Sequence, residues 1–141
     1  MSDRVPRWTV DANIILRYLL ADIPELTSKA RSVLMAVAEG RIVAVCDAVT
    51  LAEVVFVLSS VYKLPNAQIS EGLIPLLQMD NLELAAKDRY IRALRLFAGE
   101  VRHFGDACAC ATAIEKCEGK LVSFDRKLSS VASVTRAEEV P

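Results

Sequence analysis

The stretch IVAVCDAVTLAEVVFVLSSVYK, residues 42–63, joins two different hydrophobic patterns within one short segment. Its first part, IVAVC at 42–46, is a short apolar run with several β-branched side chains, which predicts a buried strand. The pattern of residues 48–63 predicts a helix that starts directly after this strand. A buried strand followed at once by a helix is typical of α/β proteins built on parallel strands.

The same alternation continues on both sides of this stretch. Before it, residues 7–11 (RWTVD) predict a strand, 12–20 (ANIILRYLL) a helix, and the apolar spacing from Glu25 a second helix that ends at Gly40. After it, the predicted helices cover residues 66–79, 87–98 and 106–118, and the predicted strands cover 81–84, 121–124 and 132–135. We expect one α/β domain over residues 1–141, with helices on both faces of a mainly parallel sheet of four to five strands.

Composition and charge exclude several classes of protein. Hydrophobic residues make up 53% of the chain, but no apolar run approaches the roughly 18 residues needed to cross a membrane. The N-terminal MSDRVPRWTV lacks the apolar stretch of a signal peptide, so we expect a cytoplasmic protein. Seventeen basic and eighteen acidic residues give a net charge of −1, so a nucleic acid would have to be held by a local basic patch.

The four cysteines, Cys46, Cys108, Cys110 and Cys117, do not form a metal-binding or disulfide pattern. None belongs to a CxxC pair, and the single histidine, His103, cannot complete the usual zinc spacings. On a helix, Cys108 and Cys110 point roughly 200° apart, so they cannot coordinate the same ion. We expect the cysteines to act as small buried hydrophobic residues.

Four acids fall where parallel strands and their helices should bring side chains to one edge of the sheet. Asp11 ends the first predicted strand and Asp125 follows the strand LVSF. Glu53 lies in the first turns of the helix after IVAVC, and Asp106 starts the helix that leads into LVSF. Because ligands of such folds bind beyond the carboxyl ends of the strands, we expect these four carboxylates to converge on one pocket.

Each acid also has a purely structural interpretation. Asp11, Asp106 and Asp125 are plausible helix N-caps, and Thr50-Leu51-Ala52-Glu53 fits a capping box. Glu53, however, stands among apolar residues in LAEVVFVL, so we expect it to face a covered region where an ionised carboxylate needs a partner. Several acids in one pocket would repel each other, and a divalent cation with a preference for oxygen ligands, Mg²⁺ or Mn²⁺, would relieve that repulsion.

These motifs resemble those of a known family. VDANIILRYLL with Asp11, TLAEVVFVL with Glu53, FGDACACATA with Asp106 and LVSFDRKL with Asp125 resemble the four acidic motifs of PIN-domain ribonucleases, in order and in spacing. The resemblance is closest to the VapC toxins of VapBC toxin–antitoxin pairs. It implies a PIN-like three-layer α/β/α sandwich and Mg²⁺- or Mn²⁺-dependent hydrolysis of RNA by attack of an activated water on a phosphodiester.

The resemblance also implies roles for particular residues. Asp11, Glu53, Asp106 and Asp125 would be the catalytic metal ligands, and Asn13 and Ser123 would be supporting residues. Many relatives carry a further acid where this chain has Arg126 and Lys127, which leaves open whether one or two ions bind. The basic candidates for contacting RNA are Arg17, Arg89, Arg92, Arg95, Arg126 and Lys127. As partners, the resemblance implies an RNA substrate, a cognate antitoxin in the active-site groove and a second copy of the chain in a homodimer.

Two other interpretations remain open from the sequence alone. The first is a PIN-like module that binds RNA or protein without cutting it, although all four acids are present. The second is a Mg²⁺-dependent phosphotransfer protein on a similar α/β fold. A dehalogenase-type phosphatase would need a D-x-D motif after the first strand, and the chain has Asp11-Ala12-Asn13 there. A response-regulator receiver would need adjacent acids at the same place.

Overall fold

The computed structural model describes residues 4–141, and these divide into two compact units. Within the described chain, the first unit comprises residues 4–64 and 72–85, and the second comprises 65–71 and 86–141. Each unit is described by itself below. The single domain over residues 1–141 stays a prediction.

Three short parallel strands form the sheet of the first unit. They are β1 (Arg7–Thr9), β2 (Val43–Val45) and β3 (Leu82–Glu83), and β2 lies between the other two. Ala44 of β2 is paired with Trp8 on one side and with Leu82 on the other. Ala44 and Leu82 are buried, as expected for a central strand and its neighbour. The strand register places the ends of β1 and β2, where Asp11 and Asp47 follow, at the same edge of this sheet.

Helices follow β1 and β2 in the first unit. They are α1 (Ala12–Leu20), α2 (Pro24–Ala38) and α3 (Ala48–Phe56), and α3 continues into a π-helical turn, Val57–Val61. Helix α1 packs against both α2 and α3. The apolar sides of these helices, including Leu34, Val37, Leu51 and Val54, are almost completely buried. Burial of this apolar surface is the main source of the stability of such a unit.

The second unit is built on a pair of packed helices and a two-stranded parallel sheet. Its elements are α5 (Lys87–Ala98), α6 (Phe104–Lys116), β4 (Lys120–Val122), a 3₁₀-helix (Arg126–Ser130) and β5 (Thr135–Ala137), and helix α4 (Asn66–Leu77) begins in this unit. Small buried residues such as Ala93 and Ala107 allow α5 and α6 to pack closely. The side-chain amide of Asn66 donates to the carbonyls of Phe97 and Arg102, which fixes the start of α4 on this pair.

The chain turns from α6 into β4 at Gly119. This residue has φ +83, a conformation that favours glycine, and a Cβ atom at this position would lie 2.0 Å from the carbonyl oxygen of Ser133. The Gly119 carbonyl accepts a hydrogen bond from the amide of Thr135 at the start of β5 (2.8 Å). Gly119 therefore allows the close backbone approach that brings β5 alongside β4.

The predicted fold class is confirmed: the chain is an α/β protein in which every strand pair of the described residues is parallel. The expectation of one sheet with four to five strands needs correction. The five strands are divided into a sheet of three and a sheet of two, and they are only two or three residues long. None of the helices between residues 4 and 141 combines the length and the apolar character needed to cross a membrane.

Candidate active site

In the first unit, Asp11 follows the end of β1 and begins α1. Its Oδ1 accepts a hydrogen bond from the backbone N–H of Ile14 (3.3 Å), so Asp11 is the N-cap of α1, as one interpretation of the sequence predicted. The side chain is exposed, and its second carboxylate oxygen has no partner among the described residues. The capping bond therefore uses only one of the two carboxylate oxygens. Asn13 lies in the first turn of the same helix and is also exposed.

The predicted capping box at Thr50 and Glu53 is wrong. The N-cap of α3 is Asp47, whose Oδ1 accepts from the backbone N–H of Thr50 (2.7 Å). Thr50 and Glu53 both lie within the helix, so Glu53 has no role in capping. The sequence carries a signal for this cap, because an aspartate between a buried strand and a helical pattern is itself a strong N-cap candidate.

The expectation that Glu53 faces a covered region is also wrong. Glu53 is exposed, and so are its apolar neighbours on the same side of α3, Val49 (76% exposed) and Phe56 (64% exposed). These residues lie four positions before and three positions after Glu53, on one face of the helix. The apolar residues around Glu53 in sequence therefore do not surround it in space. Its carboxylate makes no hydrogen bond or ion pair with any of residues 4–141.

In the second unit, Asp106 lies in the first turn of α6 and is half-buried. It is not the N-cap, because His103 occupies that position and makes no capping bond with its side chain. Within the described chain, the Asp106 carboxylate has no hydrogen-bond or ion-pair partner. The positive end of the helix dipole favours a negative charge at this place. Asp106 is thus a carboxylate held at a helix start with both oxygens unused.

Asp125 follows β4 and is fixed by its neighbours. Its Oδ1 accepts from the backbone N–H of Lys127 (3.0 Å), so Asp125 caps the 3₁₀-helix, and its own N–H donates to the Oγ of Ser123 (3.0 Å). The carbonyl of Ser123 accepts from the guanidinium of Arg136 (2.7 Å). Ser123 therefore orients the backbone at Asp125. Sequence reasoning did not find Arg136, because nothing in the sequence pattern relates it to Ser123.

The donor chemistry of these acids fits a hard divalent cation. All four residues offer carboxylate oxygens, the ligand type that such cations prefer. One oxygen of Asp11 and one of Asp125 accept capping hydrogen bonds. The carboxylates of Glu53 and Asp106 make no hydrogen bond or ion pair with the described residues. Each unit by itself supplies two of the acids. In the part of the chain that the structure describes, no group of three or more His, Cys, Asp or Glu side chains is arranged to hold a metal ion.

Two of the basic residues predicted to contact RNA are engaged within their own units. Arg17 donates to Asp22 (2.9 Å) and to the hydroxyl of Tyr62 (3.3 Å), its side chain is only 16% exposed, and the bond to Tyr62 raises its pKa. Arg89 forms an ion pair with Glu115, which raises the pKa of Arg89 and lowers that of Glu115. Four of the predicted residues are exposed and unpaired among the described residues: Arg92, Arg95, Arg126 and Lys127.

The cysteines carry none of this chemistry. Cys46 and Cys110 are buried, as predicted, whereas Cys108 is half-buried and Cys117 is exposed. Burial raises the pKa of the Cys108 thiol to about 11, and burial also raises the pKa of Cys46 and Cys110. A thiol with such a pKa stays protonated near neutral pH and is a poor nucleophile or metal ligand.

The comparison with known protein families gives one match that spans all four acids. A profile described as the PIN domain matches residues 9–134, a span that includes all four acids. The chain therefore belongs to the PIN-domain family. Members of this family are generally nucleases that bind RNA and typically use divalent metals. No curated protein and no solved structure matches the chain at a significant level.

Proposed function

We propose that this protein, acting as a single PIN domain over residues 1–141, is a Mg²⁺- or Mn²⁺-dependent ribonuclease that hydrolyses RNA phosphodiester bonds. Asp11, Glu53, Asp106 and Asp125 hold the cation in this proposal. The observation that carries it is the PIN-domain match over residues 9–134, which spans four carboxylates with oxygens that no hydrogen bond uses. Family membership supports the nuclease reaction, and the oxygen donor set supports a hard divalent metal.

The residues of the chain have distinct tasks in this reaction. Asp11 and Asp125 are held beyond strand ends by their capping bonds, and each of these bonds uses one of the two carboxylate oxygens. Ser123 keeps the backbone of Asp125 in place, and Asn13 adds a polar group in the first turn of α1. When bound, the cation lowers the pKa of a water molecule and neutralises charge on the phosphate oxygens.

The RNA backbone needs cations that are free to contact phosphates. Arg92, Arg95, Arg126 and Lys127 meet this condition, whereas Arg17 and Arg89 are committed to the ion pairs described above. We therefore assign substrate binding to the first four residues. Arg17 and Arg89 retain a structural role in the proposal, since each joins two segments of its own unit.

Substitution of the acids tests this proposal. Asp11→Asn and Asp106→Asn should each reduce RNA cleavage roughly a thousandfold or more, because several kcal/mol of charge stabilisation would be lost with the ligand. Cleavage of a labelled RNA in Mg²⁺ measures this effect. The same variants should also lose the rise in melting temperature that Mg²⁺ gives the wild type, since a ligand that binds the folded state stabilises it.

Asp47→Asn is the matched control for these variants. Asp47 follows β2 as Asp11 follows β1, and asparagine caps a helix about as well as aspartate, so this variant should fold and cleave RNA like the wild type. Full activity in both Asp11→Asn and Asp106→Asn, or an equal loss in Asp47→Asn, would contradict the assignment of the site.

The family resemblance also supports a more specific role. We infer that the protein acts in the cytoplasm as the toxin of a VapBC-type pair, works as a homodimer and is inhibited by a cognate antitoxin. Expression of the chain should then arrest growth, and co-expression of a small protein encoded directly upstream should relieve the arrest. Growth that is unaffected by the wild type would contradict the toxin role and would leave the nuclease assignment to the cleavage assay.

A further inference from the structure

An aromatic ring is exposed directly beside one of the proposed catalytic acids. Phe124 lies between Ser123 and Asp125, and at 82% exposure it is the most exposed large hydrophobic side chain of residues 4–141. Exposing an apolar ring of this size to water is unfavourable in the free protein. The exposure of this ring leaves it available for contact with a bound molecule.

The backbone around Phe124 is fixed. The N–H of Ser123 donates to the carbonyl of Ala137 (2.9 Å), and the N–H of Asp125 donates to the Oγ of Ser123 (3.0 Å). The N–H of Lys127 then donates to Oδ1 of Asp125 (3.0 Å). Phe124 is thus held in place on both sides by hydrogen bonds, and its ring projects from a rigid segment.

The charges around this ring favour a polyanion. Lys120, Arg126 and Lys127 are exposed, and none of them makes an ion pair within the described chain. Lys120 begins β4, and Arg126 and Lys127 follow Phe124 closely in the chain. The acid that follows β5, Glu138, is already paired with Arg136 (2.9 Å), and Glu139 lies beyond it past the end of the strand.

We propose that Phe124 stacks on an unpaired base of the RNA substrate next to Asp125, while Lys120, Arg126 and Lys127 contact the adjacent phosphates. This inference rests on the proposed ribonuclease function. A planar ring flanked by free cations is the combination with which proteins bind single-stranded nucleic acids, because every base has a face for stacking. A protein partner would be expected to cover a broad apolar area, whereas the exposed large apolar side chains of residues 120–127 are only Val122 and Phe124, and three exposed cations accompany them.

Binding of RNA without cleavage tests the role of the ring. The parent protein carries Asp11→Asn and Asp106→Asn and is kept in EDTA, and the probe is a short fluorescein-labelled single-stranded RNA followed by anisotropy. Adding Phe124→Ala should weaken binding between about 5-fold and 150-fold, which corresponds to the loss of one stacked base. Phe124→Tyr and Phe124→Trp should bind within about twofold of the parent, because they keep an aromatic face.

Two controls separate stacking from general apolar contact. Phe124→Leu keeps an apolar side chain without a ring and should bind as weakly as Phe124→Ala. Val122→Ala removes an exposed apolar group at the end of β4, two residues before Phe124, and should leave RNA binding unchanged. Tight binding by Phe124→Leu, or equal losses in Val122→Ala and Phe124→Ala, would instead indicate an apolar docking surface and would overturn the proposal.

An RNA that lacks one base tests the stacking contact from the side of the RNA. An RNA probe with an abasic site at the stacked position should bind the parent as weakly as the intact probe binds Phe124→Ala. When the abasic probe is combined with Phe124→Ala, the affinity should fall no further. If the abasic site and Phe124→Ala instead weaken binding additively, the stacking contact is overturned. If the parent does not bind RNA at all, the stacking proposal is overturned, while cleavage of RNA by the wild type in Mg²⁺ decides the ribonuclease proposal separately. Equal binding by the parent and Phe124→Ala overturns the role of the ring alone.

Discussion

Asp47 and Asp11 occupy equivalent places, two residues beyond the end of β2 and of β1, and each caps the helix that follows. Position and residue type therefore do not separate a capping acid from a catalytic one. For Asp47, the hydrogen bonds from the backbone and the side chain of Thr50 lower the pKa of the carboxyl. Asp47 thus stabilises the fold as an ionised N-cap, so its contribution to the stability of the protein depends on pH.

We predict that Asp47→Asn changes the acid sensitivity of the protein. A carboxyl whose pKa is lowered on folding stabilises the native state above its unfolded pKa of about 3.9, and this stabilisation is lost as the pH falls through the folded pKa. The wild type should therefore have a higher melting temperature than Asp47→Asn at pH 6, and the difference should shrink toward zero as the pH falls below about 4. Thermal unfolding across this pH range measures it. A difference that does not change with pH would contradict the ionised cap.

At the scale of elements, the helices with a clear amphipathic pattern could be predicted to the residue. Helices α1 and α5 have the predicted bounds, because one side of each is apolar and the other is polar. The π-helical turn at Val57–Val61 could not be predicted, because LAEVVFVL, the run at residues 51–58 that leads into it, has apolar residues on every side of the helix and gives no periodicity. The exposure of Glu53 was missed for the same reason, since apolar residues on both sides of a helix do not reveal which side the fold covers.

The turn between α6 and β4 gives a prediction at this scale. Gly119→Ala should destabilise the protein by more than the roughly 1–3 kcal/mol that a left-handed conformation costs an ordinary residue, because the added Cβ would also meet the Ser133 carbonyl. Gly105→Ala is the matched control. Gly105 lies in α6, and a Cβ atom added there would have nothing within 4 Å, so alanine should be neutral or stabilise by roughly 0.4–1 kcal/mol.

Chemical denaturation of the two glycine variants measures both effects. The expected order of stability is Gly105→Ala at or above the wild type, with Gly119→Ala clearly below both. Comparable stability of Gly119→Ala and the wild type would mean that β5 does not need its close approach to the turn in order to pair with β4.

At the scale of the whole molecule, the sequence predicted the fold class and the family better than it predicted the sheet. The parallel strands follow from the alternation of strands and helices, and the family follows from the four acidic motifs, whereas the roles of the four acids stay a prediction. The division of the strands into sheets of three and two could not be predicted, because strands of two or three residues carry too little pattern to fix their neighbours. The role of Ser123 in orienting Asp125 was anticipated, but its link to Arg136 depends on strand pairing that only the structure gives.

Metal-dependent cleavage of RNA is the activity that we propose for this protein. The direct measurement is the rate at which the purified protein cleaves a single-stranded RNA after treatment with EDTA, and again after Mg²⁺ or Mn²⁺ is added in excess. We predict no cleavage in EDTA and recovery with either ion, because the cation would supply the activated water, and carboxylates without it would repel the phosphate. Cleavage that continues undiminished in EDTA, or that neither ion restores in folded protein, would contradict the claim.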